Sequence, residues 1–555
     1  MARMPPRNEL GPRTLVVGAL LGALLAVVNT YVGLKTGITD GGSVTAVLLG
    51  FAICTVLVRA GAPAASAHEL NAIQTTAAAA AGMANTIGLS GAATGLYLTG
   101  ASPSPVALAA LGLGTAALGL GVAVALRGAL IERGRLAFPT GQVTAELIGA
   151  LQRDRDTRRV LPLTLAAVVS AIVVWFRDGR PAMVPALLPV PAPGAYPDPG
   201  ALGYGFAPSP MLLGVGFLVG APTALAIGAG TVVAWVVLGP WLVAEWGLAP
   251  SYDALAGWLV WPGLALILSG SIVSLARERG ALVGAALVRP SVRQLGIAVA
   301  VLAATVVVAT AVLGAPLIAV LIGVALAPVL GLIGARVVGE SDVSPAGPFG
   351  AVAQVAVAPV ATTATGILVP GAIAAGVVAH SAVGLWAFKT GHLLGAAWRR
   401  QVVALAVGSV VGAVVAVPVF LLLRDAYTIG GAALPAPFAQ TWAATTRVLL
   451  SGTAGMPAGA GVAAVIAACV GAALAAASGP GWRRFVPSPA ALGIGFLLPV
   501  SFVVPIVIGG VLAAALGRGR AQVAGALPII GTGAILGEAT IGTVIAGLRV
   551  GGVLG

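Results

Sequence analysis

The chain has 555 residues, of which 8% are Asp, Glu, Lys or Arg and 59% are hydrophobic, and its mean hydropathy is +1.06. Soluble domains carry roughly 25% charged residues, so this composition excludes a string of water-soluble domains and makes the bilayer the main solvent. The formal net charge is +13, but the basic residues lie in short clusters between apolar runs, which marks topology and anionic headgroups rather than a nucleic-acid partner.

A span needs ~20 apolar residues, and about sixteen such segments can be laid along the chain. Their continuous apolar character predicts an all-α polytopic membrane protein and not a barrel of alternating strands. The first run, Thr14 to Leu34, follows Arg3, Arg7 and Arg13. It is too long for a signal peptide, and the positive-inside rule puts the N-terminus in the cytoplasm. At its end stands Gly33-Leu34-Lys35-Thr36-Gly37. Only two lysines occur in the chain, against 27 arginines, and both head a Lys-Thr-Gly tripeptide, at Lys35 and Lys389. Each lysine can be a snorkelling residue at a span end or a titratable cation for substrate carboxylates.

His68-Glu69-Leu70-Asn71 opens an Ala-rich helix with Gln74 and Thr75. Asn71, Gln74 and Thr75 share one face. Glu69 reads either as a first-turn acid at the positive end of the helix dipole or as a proton site. Phe138 to Leu151 is shorter than a span and lies between two arginine clusters, so a half-helix or re-entrant segment is expected. It carries Gln142 and Glu146 four apart on one stripe. Pro181 to Pro210 is expected to form an ordered external loop.

The segment Phe206–Val219 matches Phe485–Leu498 at nine of fourteen positions, with an offset of 279 residues. Gln74 and Gln354 pair at a similar offset. The chain therefore reads as a duplication of about eight spans, with repeats over residues 1–280 and 281–555. If each half crosses an even number of times, the repeats are parallel. Further along, Gly339 to Gly350 is too rich in Pro and Gly for regular helix and presents Asp342. His380 reads as a packing histidine. Glu538 stands alone in the last span, where an acid needs a partner or a proton. The two cysteines, Cys54 and Cys469, are expected to be buried packing residues, with neither a metal pattern nor a disulfide framework.

No Gly-x-x-x-x-Gly-Lys-Ser/Thr motif is present, so transport would be ion-driven. A passive channel needs a continuous wet pore, and an embedded enzyme needs a converged nucleophile or metal set. Both remain as weaker alternatives.

Taken in order, the motifs resemble the oligopeptide transporter family. They are Asn29-x-Tyr31-x-Gly33-x-Lys35-x-Gly37; His68-Glu69 with Gln74-Thr75; Phe138-Pro139; Phe206-x-Pro208-Ser209-Pro210; Asp342-x-x-Pro345-x-Gly347 with Gln354; Lys389-Thr390-Gly391-His392 with Gly395 and Gln401; Pro487-Ser488-Pro489 with Gly493 and Gly495; and Gly537-Glu538. One departure is Ile38, where the family often has an aromatic residue. The resemblance implies about sixteen spans and cation-driven, usually proton-driven, symport of small peptides or peptide-like metal chelates. It calls for no cofactor. Substrate contact is expected at Lys35, Asn71, Gln74, Gln142, Gln354 and Lys389, and proton coupling at His68, Glu69, Glu146, Asp342 and Glu538. The Arg-rich, small-residue composition fits a bacterial inner membrane. The oligomeric state stays open, with a homodimer as one form.

Overall fold

A computed structural model describes residues 9–554 apart from 38, 40, 41, 90, 155–159, 189, 191–198, 201, 278–291, 343, 432, 453–455 and 479–485. The arginines expected to mark loops at 155, 158, 159, 279, 483 and 484, the junction of the two expected repeats, and Ile38 lie outside the described residues.

The described residues form twenty α-helices and only two isolated β-bridges. In chain order the first ten are α1 (Pro12–Thr36), α2 (Ser43–Arg59), α3 (Ala67–Thr86), α4 (Ala92–Leu98), α5 (Pro105–Arg127), α6 (Pro139–Asp154), α7 (Val160–Asp178), α8 (Pro210–Thr231), α9 (Gly239–Trp246) and α10 (Tyr252–Arg277). The others are α11 (Val292–Val307), α12 (Leu317–Ser341), α13 (Ala346–Val357), α14 (Ala364–Leu394), α15 (Trp398–Ala426), α16 (Pro437–Ser451), α17 (Ala460–Ala477), α18 (Pro489–Leu497), α19 (Val500–Gly517) and α20 (Ala521–Val550). Among the described residues, twelve helical stretches are long and apolar enough to cross a membrane, against the about sixteen expected. Outside those twelve stretches lie α2, α4, α6, α13, α16 and α18, all shorter than 18 residues, and α3, which is long enough but not among the apolar spans. For α6 this agrees with the expected short segment.

Two sets of helices can be distinguished by what they touch. α14 is enclosed by α3, α5, α12 and α13, and α1, α3 and α15 pack together beside it. In the second set α7 and α8 pack on α20, α8 on α19, and α10 on α17 and α18. α1 and α15 meet α20 at the junction between the sets. Small residues make these approaches possible, because without a side chain two helix backbones can touch.

The two matched segments meet in the second set. Gly216 lies against Ile506, Gly509 and Gly510, so that a Cβ there would overlap the Ile506 carbonyl. Gly495, its partner at the 279-residue offset, lies against Ile227, Gly230 and Thr231 in the same way. Each of those three residues is the offset partner of one in the first group. The contacts are therefore reciprocal, as in a self-complementary two-fold interface.

Gly216 and Gly228 both touch the 506–510 turn of α19, although twelve residues of straight helix would separate them by ~18 Å. The chain therefore folds back between them, at Gly220, whose φ of 74° and ψ of 167° are not helical. The second copy folds back at Leu498–Pro499, between α18 and α19. Where the copies touch, Ala224 meets Gly510 and Gly228 meets Val507, so rising numbers in one meet falling numbers in the other. Where they touch, the two matched segments run antiparallel.

Of the two cysteines, Cys54 is buried, but Cys469 is exposed on the surface of α17 rather than packed inside.

Candidate functional site

Glu538 is fully buried in α20, but it is not alone. Its Oε1 accepts from Arg177 Nη2 at 3.0 Å and lies 3.7 Å from Lys35 Nζ. Its Oε2 accepts from Ser209 Oγ at 2.7 Å and from the Met211 backbone N–H at 2.9 Å. Ser209 is the N-cap of α8 and accepts in turn from Leu212 N–H. The carboxylate thus sits at the positive end of the α8 half-helix, where N–H groups lack intrahelical partners. Arg177 also forks onto Asp178, at 2.8 and 2.6 Å, and donates to the Pro208 carbonyl at 2.9 Å.

Lys35 completes the group from α1. Its ammonium lies 5.1 Å from the Tyr31 ring centre and 5.6 Å from that of Phe502. Two cations thus face two carboxylates at the junction of the two helix sets. Arg549 closes the outer side by donating to the Asp178 carbonyl and stacking over Tyr427. Burial, followed by the Tyr31 phenol, pushes the Tyr427 phenol up to about 12, so it stays neutral beside that guanidinium.

The remaining expected site residues are spread over the molecule. Glu69 forms a capping box with Ser66: its Oε2 accepts from Ser66 N–H at 2.8 Å while Ser66 Oγ accepts from Glu69 N–H at 3.2 Å. Its other oxygen accepts from Arg13 at 2.6 Å. His68 bridges the Leu394 carbonyl and Glu9. This group stands at the start of α1, and Lys35 stands at its end. Along 22 residues of helix that is ~33 Å, so Glu69 and Glu538 belong to opposite sides of the protein. Ser66→Ala is expected to cost about 1 kcal/mol of stability, while uptake per folded molecule stays near the parent value; thermal melting together with uptake assays measures both.

Asp342 caps the start of α6. Its carboxylate accepts from Thr140 N–H at 3.0 Å, Thr140 Oγ1 at 2.6 Å and Trp386 Nε1 at 2.7 Å. Lys389 donates to the Leu136 carbonyl at 2.8 Å, and Thr390 donates to that of Gly141. The second Lys-Thr-Gly therefore docks α6 onto α14, whereas the first supplies the Glu538 cluster. Gln142 and Glu146 are exposed and bond to each other at 3.1 Å. Gln74 donates to Ser43 at 3.0 Å. Asn71 has an unpartnered buried Oδ1, and both amide atoms of Gln354 are buried without a partner. His380 is buried between Ser409 and Thr86, as expected of a packing histidine. Among the described residues no group of three or more His, Cys, Asp or Glu is placed to hold a metal ion.

Sequence reasoning missed Arg177 and Ser209. Arg177 stood in no motif; Ser209 stood in the repeated Pro-Ser-Pro motif, which was the available signal.

The chain matches the family described as OPT oligopeptide transporter protein over residues 9–294 and 288–549. It is 26% identical over 581 residues to a rice (Oryza sativa subsp. japonica) protein named "Probable metal-nicotianamine transporter YSL17", covering 88% of this chain and 82% of that protein. A Saccharomyces cerevisiae protein named for oligopeptide transport is 23% identical over 400 residues, covering 58% of this chain and 55% of its own length. With a helical membrane architecture and family matches along nearly its whole length, the chain belongs to the OPT oligopeptide transporter family and is a multi-pass membrane transporter, not an enzyme.

Proposed function

We propose that the protein is a proton-coupled symporter of small peptides or peptide-like metal chelates that works by alternating access. The observation that carries the coupling reading is the buried Glu538 of α20, held by Lys35 of α1 and Arg177 of α7 at the N-terminus of the α8 half-helix. A proton on Glu538 leaves two cations facing the single carboxylate of Asp178. That weakens the tie between the helix sets. Coupling requires such a group, whose charge state alters the contact between moving parts.

The reciprocal Gly216 and Gly495 contacts support reading the second set as two inverted copies. In transporters of that design the two sides of the membrane are exposed in turn by exchange of conformation between the copies. The rice and yeast relatives supply the substrate classes by name. The proposal places the protein in a bacterial inner membrane with a cytoplasmic N-terminus.

Uptake into proteoliposomes tests the coupling. Accumulation of a labelled substrate, from a panel of dipeptides to pentapeptides and nickel–nicotianamine, is expected to rise several-fold under an inward proton gradient and to collapse with a protonophore. Flux indifferent to the gradient would favour a facilitator.

A further inference from the structure

A cavity of about 860 Å³ opens between the two helix sets. One wall is the start of α10, with Tyr252, Asp253 and Trp261. The other is α16 with Gln440 and Arg447, together with the 428–433 connection that follows α15. It lies on the side where α1 ends: the Ala436 N–H, just before α16, donates to the Leu34 carbonyl. No expected site residue lines it.

Its two charged side chains, Asp253 and Arg447, form no ion pair among the described residues. Arg447 is exposed and reaches only the Leu98 carbonyl, at 3.4 Å. Asp253 is exposed, and no ion pair forms between it and Arg447 or any other described residue. Tyr252 is 5% exposed, and its hydroxyl is buried without a hydrogen-bond partner. Its ring is fixed by stacking on Trp235 at 5.5 Å and 9°. Gln440 donates to the Gly430 and Pro435 carbonyls and so shapes the opposite wall. Ligand sites are commonly ~300–1,000 Å³, largely apolar and provided with a few convergent polar groups.

We propose that this cavity binds a dipolar amino-carboxylate ligand, with Arg447 taking the carboxylate and Asp253 the ammonium. The assignment rests on the transporter reading and names the ligand class and residues for it. The cavity is linked to the moving parts at two points. Gly203 packs between Tyr252 and Pro499, the reversal of the second copy. Thr428 in the rim follows Tyr427, which lies under Arg549 beside the Glu538 cluster. Ligand in the cavity therefore bears on both the hairpin reversal and the ion cluster.

Calorimetry on the purified full chain in detergent tests the site without any need for transport. The probes are dialanine to pentaalanine, nickel–nicotianamine, and the N-acetyl and C-terminal amide forms of the best-bound peptide. Saturable binding of at least one free peptide is expected, weakened tenfold or more by either block. Arg447→Ala should abolish the penalty of the amide alone, and Asp253→Asn that of the acetyl group alone. Absence of binding by the whole panel, or variants that keep both penalties, would overturn the assignment. The same probes in proteoliposomes separate the two readings: uptake with an unaltered pattern in the variants sinks the cavity alone, and the binding pattern without uptake sinks the transporter mechanism alone.

Discussion

Glu538→Gln is expected to abolish gradient-driven accumulation, with at least a tenfold loss in proteoliposome uptake. The amide keeps the shape of the side chain but removes the charge that Lys35 and Arg177 share. Breaking one side of a buried ion pair costs ~3–5 kcal/mol, so the single variant is also expected to melt lower and express less. Loss of activity could then be mere loss of fold. The double variant Lys35→Met, Glu538→Gln answers this. It restores the balance, leaving Arg177 on Asp178, and should recover most of the melting temperature. Uptake should stay insensitive to the proton gradient, because the titratable group is gone. A double variant that regains gradient-driven uptake would show the cluster to be structural only.

The second large effect concerns the crossing of the matched copies. Gly216→Ala and Gly495→Ala each place a methyl group into a backbone carbonyl, Ile506 in one case and Ile227 in the other. Backbone cannot rotate aside as a side chain can, and overpacking of this kind typically costs ~1–3 kcal/mol. The two variants are expected to lose stability to the same degree, because their surroundings are offset copies of each other. Gly121→Ala serves as control, since a Cβ there meets nothing within 4 Å, and removing a helical glycine should stabilise by up to about 1 kcal/mol. A large difference between the Gly216 and Gly495 variants in thermal melting would contradict the pseudo-two-fold reading.

Much of the class was readable beforehand. Scarcity of charge identifies the solvent, since a chain with so few ionisable groups cannot cover itself with a water-compatible surface. The Pro-Ser-Pro duplication was visible as identity at a constant offset, and Glu538 stood out because an acid in an apolar run needs a reason. The short length of the segment starting at Phe138 was also legible. Composition could not reveal that the duplicated segments turn back at Gly220 and Pro499. A re-entrant half-helix and half of a spanning helix have the same hydropathy, and only their neighbours differ.

The site residues divide along the same line. Local sequence was sufficient to offer Glu69 as a first-turn acid, but not to name Ser66, its partner in the capping box, or to choose that reading over a proton site. It was insufficient for the two Lys-Thr-Gly motifs, which are identical in sequence yet do different things: Lys35 meets a carboxylate from the far end of the chain, and Lys389 a backbone carbonyl 253 residues away. Sequence alone determined that this protein lives in a membrane, that it carries one matched pair of segments 279 residues apart, and that a few scarce charges stand inside apolar runs. Tertiary structure decided which charges meet, which copy opposes which, and where the cavity lies. Pairing energies depend on distances of a few ångströms between groups hundreds of residues apart, and no local pattern encodes those distances.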